Sequence, residues 1–366
     1  MLQVGLIQWM KLCGKFIMIK NVHIKGFKCF DDEKIDFSNL TVLTGPNSSG
    51  KSSLIQAILF NLNNKLLSPD QEIKKYLDSL GGFVDLKNKN TNSVQFHIDI
   101  TLKNGLVTEY IDNVLGFDKI FNAMNNQTDF NFYYLSANRQ PIEEINNSVN
   151  YVEDSCGIYA QRISNYYYFY CNEEVEDKEL IHKETTANTL ESQVNYWLSY
   201  ICDSDVSLFV DKVVSNVYKA YYKINNQEYK PQNLGAGISY LIAILTKSLL
   251  IGKDPQEVFI IENPEIHLHP KSQARLAEFF AFVARTGRQI IIETHSEHLI
   301  SKLRYCVYNK QIESSQVVIQ YRQPDKFEKI EILPNGKLLN EIGNHSFPRG
   351  FFDATLDDIF EINSNV

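Results

Sequence analysis

Apolar and polar residues alternate along IKNVHIKGF (19–27), the period-two pattern of a half-buried strand. IDFSNLTVLTG (35–45) predicts a second strand that runs into a glycine turn. SSLIQAILFNLNNKL then changes to helical spacing, with Leu54, Ile55, Ile58 and Leu59 on one face. Short strands are predicted from SVQFHIDITLKNGLVTEYI to FNFYYLSANRQP, with a hairpin turn at Lys103-Asn104-Gly105. The stretch from Glu143 to Glu184 is irregular and tyrosine-rich, and no period stands out in it. An amphipathic helix is predicted at LESQVNYWLSYI, a hairpin turn at Asn225-Asn226, and a long apolar helix over GISYLIAILTKSLLIG. Beyond it, Val258–Ile261 and QIIIET are continuous apolar runs separated by the helical KSQARLAEFFAFVART. A further helix (EHLISKLRYCVYN) and a hairpin-like VVIQYRQPDKFEKIEILPNG follow. Strands buried on both faces and alternating with helices imply an α/β fold around a parallel sheet.

Composition narrows this picture. A chain of 366 residues, 44% hydrophobic and 22% charged, has the make-up of a soluble globular protein. No apolar run approaches the roughly 18 residues that span a bilayer, so the expectation is a cytoplasmic chain that engages no membrane. A formal charge of −8 argues against a protein that coats nucleic acid by positive charge. Six cysteines, at 13, 29, 156, 171, 202 and 306, form no CxxC pair and suggest reduced thiols. Residues 1–17 carry no cleavage signal, and Met18 offers an alternative start, so they are expected to be an upstream extension. No long heptad run is present.

The strongest chemical signal is GPNSSGKSS: Gly45, Pro46, Asn47, Ser48, Ser49, Gly50, Lys51, Ser52 and Ser53. It fits the phosphate-loop pattern GxxxxGK[ST] and lies between a predicted strand and a predicted helix, as the mechanism requires. Glycines let backbone N–H groups close on phosphates at a helix N-terminus. Lys51 would neutralise the β- and γ-phosphates, and the Ser52 hydroxyl would ligate Mg2+. The segment therefore predicts ATP with Mg2+.

With its flanks, IKGFKCF…IDFSNLTVLTGPNSSGKSSLIQAI resembles the N-terminal half of ABC-type ATPase heads of the structural-maintenance-of-chromosomes (SMC) class. Recombination-repair ATPases and overcoming-lysogenization-defect nucleases belong to that class. The resemblance covers roughly residues 18 to 350. It implies one P-loop ABC-type domain over 18–366: a β-rich lobe at 18–140, a variable insert at 141–232, a signature and switch lobe at 233–325, and a C-terminal extension at 326–366. Lys28 matches the basic residue that lies near the nucleotide in this class. VFIIENPEIHLHP (258–270) becomes the second nucleotide motif, with Glu262 on the Mg2+ side. Relatives usually place a water-polarising glutamate next; here Asn263 stands there and cannot accept a proton. Glu265 is the nearest carboxylate for that role. His267 and His269 also suit a zinc site, but no third ligand follows at matching spacing, so they are expected in a contact loop. His295, after the strand QIIIET, matches the switch histidine. Asn233, Gly235 and Gly237 match the signature that reaches a partner's γ-phosphate, and Gln140 matches the glutamine near Mg2+, with Arg139 as an alternative phosphate contact.

The implied protein is an ATPase that forms a homodimer head to tail around two ATP–Mg2+. Related stand-alone heads serve in bacterial anti-phage systems beside a separate effector such as a nuclease or toxin. DNA is a further implied partner. The ENPExHLHP motif and the tail NHSFPRGFFDATLDDIF resemble one subgroup of these ATPases. A self-contained nuclease is disfavoured, because only about 60 residues follow the His295 helix. A transporter ATPase is disfavoured by the absence of LSGGQ. Asn263 keeps a non-hydrolysing ATP sensor open, and a DNA repair or recombination ATPase is the other alternative.

Overall fold

β3 (Leu40–Thr44) lies inside a seven-stranded sheet, flanked on one side by β13 (Val317–Arg322) and on the other by β12 (Gln289–Glu293). β11 (Glu257–Glu262) follows β12, and β6 (Asn131–Leu135) closes that edge; these five strands are all parallel. On the other edge β14 (Phe327–Ile332) and β15 (Leu338–Asn340) add antiparallel strands, so the sheet is mixed. The computed structural model describes residues 18–63, 70–113, 131–147, 155–251, 257–343 and 347–348. The proposed extension at 1–17 and most of the C-terminal FPRGFF segment lie outside the described residues.

Because each central strand is buried on both faces, its side chains divide with period two between two cores. Leu40, Val42, Phe259, Ile261, Ile290 and Ile292 enter one; Leu43, Val258, Ile260 and Ile291 enter the other. The second core is covered by α1 (Lys51–Asn63) and by an antiparallel sheet of β1 (Ile19–Phe27), β2 (Phe30–Asp36), β4 (Gln95–Leu102) and β5 (Val107–Asn113), in the order β2-β1-β4-β5. Two short helices, α2 (Gln71–Asp78) and α3 (Phe83–Leu86), lie between α1 and β4 in the chain. The first core is covered by α4 (Ile163–Tyr170), α5 (Leu190–Cys202), α6 (Ala236–Leu250), α7 (Pro270–Ala284) and α8 (Glu297–Tyr308). A small third sheet joins β7 (Ile145–Asn147), β8 (Val206–Val214), β9 (Val217–Ile224) and β10 (Gln227–Tyr229). Among the described residues, no helix is long and apolar enough to cross a membrane.

The turn at Asn225-Asn226 forms with both residues at positive φ (49° and 63°), as a tight hairpin requires. A second hairpin, joining β8 to β9 with Asn216 at φ 63°, has no counterpart in the sequence pattern. The tyrosine-rich ISNYYYFY is a helix, and Ile163, Tyr166 and Tyr167 turn into the core. Six of its eight residues are aromatic or β-branched, types with weak helix propensity, so burial decides its conformation.

Arg322 ties the antiparallel edge to the loop after β3. It is fully buried, its Nη1 donates to Glu33 Oε2 at 2.7 Å, and its Nε donates to the Ser49 carbonyl at 2.9 Å. The guanidinium carbon lies 5.0 and 5.1 Å from the ring centres of Phe30 and Phe327. Removing one partner of such a pair leaves the other charge buried and unpaired. Arg322→Ala is therefore expected to lower unfolding free energy by about 3–5 kcal/mol in denaturant titrations. Arg322→Met combined with Glu33→Gln should lose clearly less; equal losses would contradict this account.

Candidate functional site

The loop after β3 owes its path to three backbone positions. Gly45 has φ +139°, and a Cβ there would sit 2.7 Å from the Arg322 carbonyl oxygen. Gly50 has φ +113°, and a side chain there would strike Cys29 Sγ. Ser48, between them, is itself left-handed at φ 59°. These conformations turn the loop over the start of α1, whose first turn carries no acidic residue to compete for an anion. Pro46, Asn47 and Ser48 are exposed, whereas Lys51 is only 3% exposed. Its Nζ donates to the carbonyls of Gly45 (3.1 Å) and Pro46 (2.8 Å). Burial holds the Lys51 pKa below its usual value, against the pull of Glu293.

One carboxylate, Glu293, is coupled to this lysine, and Glu262 and Glu265 lie close enough to act on Glu293. Parallel strands present their carboxyl ends along one edge of the sheet, and β12 lies between β3 and β11. Glu262 and Glu293 are register partners at the ends of β11 and β12. Glu293 Oε1 and Oε2 lie 3.2 and 3.1 Å from Ser52 Oγ, which donates to them. Glu262 Oε2 accepts from the Ala137 N–H at 3.1 Å, and Glu265 Oε1 accepts from the His295 N–H at 2.8 Å. Burial raises the pKa of all three. Glu293 is pushed up to about 7, by burial first and then by the Glu262 charge, with Lys51 and Ser52 pulling the other way. His295 is exposed as a residue, yet partial desolvation of its ring and the Lys51 charge press its pKa below that of a free histidine.

The turn that carries these groups is stiff. Asn263 is left-handed at φ 41°, and its N–H donates to the Glu293 carbonyl at 2.8 Å. Its side-chain oxygen is buried without a hydrogen-bond partner. Arg139, only 4% exposed, braces the turn: Nη1 donates to the carbonyls of Ser136 (3.0 Å) and Glu262 (2.6 Å), and Nη2 to that of Asn263 (2.6 Å). Burial lowers the Arg139 pKa to about 10, against the neighbouring carboxylates. Arg139 is thus a strut rather than an open phosphate contact. His267, at φ 60°, sets its ring 5.7 Å from that of Tyr240, and His269 Nδ1 accepts from the Lys271 N–H at the start of α7. Among the described residues no group of three or more His, Cys, Asp or Glu is arranged to hold a metal by itself.

The remaining expected residues surround this centre. Lys28, left-handed at φ 46°, reaches α1 through Nζ to Gln56 Oε1 at 2.5 Å. Its neighbour Cys29 is the residue against Gly50. Asn233 and Gly235 are exposed at the N-terminal end of α6. Gly237 is buried, and a Cβ there would meet the His267 carbonyl oxygen at 2.6 Å, so α6 packs directly on the Glu262–Pro270 segment. Gln140 is exposed; its N–H donates to the Tyr159 carbonyl at 2.7 Å, and its side chain is not among the groups hydrogen-bonded around Ser52. Sequence reasoning missed Glu293 and Arg322. The one available signal for Glu293 is that it ends a buried strand in the same way as Glu262.

The chain matches the AAA ATPase domain family over residues 18–202 and 136–300. A curated Helicobacter pylori (strain ATCC 700392 / 26695) protein described as an ATP/GTP phosphatase is 41% identical over 64 residues, 17% of this chain and 17% of that protein. The match thus spans about a sixth of that relative's length. Among solved structures, the Smc head domain with an extended coiled coil bound to the C-terminal domain of ScpA, from Pyrococcus furiosus, aligns with 95% of this chain and 100% of its own at TM-score 0.50 and 12% identity. The recombination mediator protein RecF-ATPrS aligns with 86% of this chain and 98% of its own at TM-score 0.47 and 12% identity. The SMC head domain from Thermotoga maritima aligns with 86% and 99% at TM-score 0.43 and 14% identity. At such identities the likeness to the Pyrococcus head concerns the fold, an α/β phosphate-loop ATPase fold with a mixed sheet. The two family matches together run from residue 18 to residue 300, most of the sequence, and the chain belongs to the AAA ATPase domain family.

Proposed function

We propose that this ATPase binds ATP and Mg2+ on the Gly45–Ser53 loop, hydrolyses the nucleotide, and uses the cycle to pair with a second copy and regulate a separate effector. The observation that carries this reading is the convergence of Lys51 and Ser52 with the ends of β11 and β12, where Glu262 and Glu293 stand in register and Glu265 bonds the His295 amide. Loop amides and Lys51 suit the triphosphate, with Lys28 beside α1 as a further cation. The exposed Ser52 hydroxyl and the Glu262 carboxylate are hard oxygen donors that fit Mg2+, and Gln140 is the third residue assigned to that side. When bound, the cation offsets phosphate charge and orients the nucleotide.

Glu265 takes the water-activating role that Asn263 is unable to fill. Its bond to the His295 amide couples it to the switch position, where the histidine ring would read the γ-phosphate. Asn233 and Gly235, exposed at the start of α6, supply the surface that a partner's nucleotide would meet. Within one domain over 18–366, the 18–140 and 233–325 lobes build the site. The ENPEIHLHP resemblance supports anti-phage defence, with an effector such as a nuclease or toxin and with DNA as a further contact. The Pyrococcus Smc head is bound to ScpA, which supports a protein partner for this head too. Asn263, which cannot accept a proton where relatives place the water-polarising glutamate, favours a second reading, an ATP sensor that binds without turnover.

Phosphate release separates the two. Glu265→Gln is expected to lower turnover by about 10²–10⁴-fold while ATP still binds. Turnover equal to wild type would remove Glu265 from the role, and absence of turnover in wild type would favour the sensor. Pairing has its own test. Gly235 has φ −61° and open space where a Cβ would stand, so Gly235→Arg leaves the single copy intact. With ATP and Mg2+, Glu265→Gln should sediment as a dimer, and adding Gly235→Arg should return it to a monomer; a persisting dimer would place the contact elsewhere.

A further inference from the structure

Glu293 has no part in the roles above, yet it is the carboxylate in contact with the phosphate-loop serine. Its two oxygens lie 3.2 and 3.1 Å from one hydroxyl. A serine has a single proton to donate, so two carboxylate oxygens and one hydroxyl oxygen lie together with one hydrogen between them. That is a set of hard donors around a position a small divalent cation would take. The backbone fixes the arrangement: Glu293 pairs with Leu43 on β3 and Glu262 on β11, and its carbonyl accepts from Asn263 N–H at 2.8 Å. No self-sufficient metal cage exists among the described residues. This suits Mg2+, which typically takes one or two protein carboxylates and completes its shell with phosphate oxygens and water.

Resting on the ATP–Mg2+ reading above, we propose that Glu293 is a second magnesium-side carboxylate, which turns from the Ser52 hydroxyl to the cation when ATP and Mg2+ bind. Without the cation, the Glu293 carboxylate at Ser52, with the charges of Glu262 and Glu265 nearby, would oppose an incoming triphosphate, and Arg139 is committed to backbone carbonyls. Nucleotide affinity is then set to depend strongly on Mg2+. A purely structural role, pinning the first turn of α1 through Ser52, makes a different forecast, because a glutamine in this place retains an acceptor for that hydroxyl.

The test is the ratio of ATP affinities measured with Mg2+ and with EDTA on the full chain. Glu293→Gln removes a repulsive charge from the metal-free complex and a ligand from the loaded one, so the ratio should shrink by about tenfold or more. Glu293→Ala should move it the same way, which keeps the proposal testable if one variant does not fold. A ratio equal to wild type, even with both affinities lowered together, would overturn the proposal and leave Glu293 a structural acceptor. If wild type bound no ATP in either medium, the nucleotide-site reading itself would fall.

Discussion

Three buried or half-buried carboxylates, Glu262, Glu265 and Glu293, act on one another, with the buried Lys51 offsetting Glu293, and the rest of the site is organised to make that arrangement stable. Like charges at the ends of adjacent strands repel, and burial raises the pKa of each of them. Lys51 offsets part of this charge from the loop side. Arg139 takes the carbonyls of Ser136, Glu262 and Asn263 and so braces the turn that carries Glu262 and Glu265. A site held in this way favours a ligand that brings positive charge with it. The proposed ligand, ATP accompanied by Mg2+, meets that condition.

The same economy of contacts governs the loop. Arg322 reaches Ser49 from the antiparallel edge of the sheet, and the close approach of its backbone to Gly45 leaves no room for a side chain there. Its partner Glu33 comes from β2, so the N-terminal antiparallel sheet, the central sheet and the loop meet at one buried ion pair. α6 is fixed on the opposite side by Gly237 against His267. The glycine-rich start of that helix consequently lies beside the turn that carries Glu265, within one rigid neighbourhood.

Much of this was legible in the sequence, for identifiable reasons. The loop GPNSSGKSS and its flanking strand and helix are local patterns, as are the continuous apolar runs of β11 and β12 and the paired asparagines at 225–226. The order of the strands is a non-local property. QIIIET shows a carboxylate at a strand end, and only the placement of β12 between β3 and β11 brings Glu293 to Ser52. Arg322, and the bracing of Glu262 and Asn263 by Arg139, were hidden for the same reason, since those partners lie more than 120 residues away. The helix ISNYYYFY escaped because its aromatic and β-branched residues carry little helical preference, and tertiary burial overrides it. The β8–β9 hairpin escaped because the exposed Val213 and Val214 just before its turn break the alternation.

The central claim is that the Gly45–Ser53 loop and the carboxylates beyond it form one site for ATP with Mg2+. Calorimetric titration of ATP in Mg2+ into the wild-type chain and into Lys51→Ala tests it most directly. The account predicts saturable binding by wild type and a loss of about a hundredfold or more in the variant, whose buried cation–phosphate contact is worth several kcal/mol. Equal binding by the two proteins would contradict it.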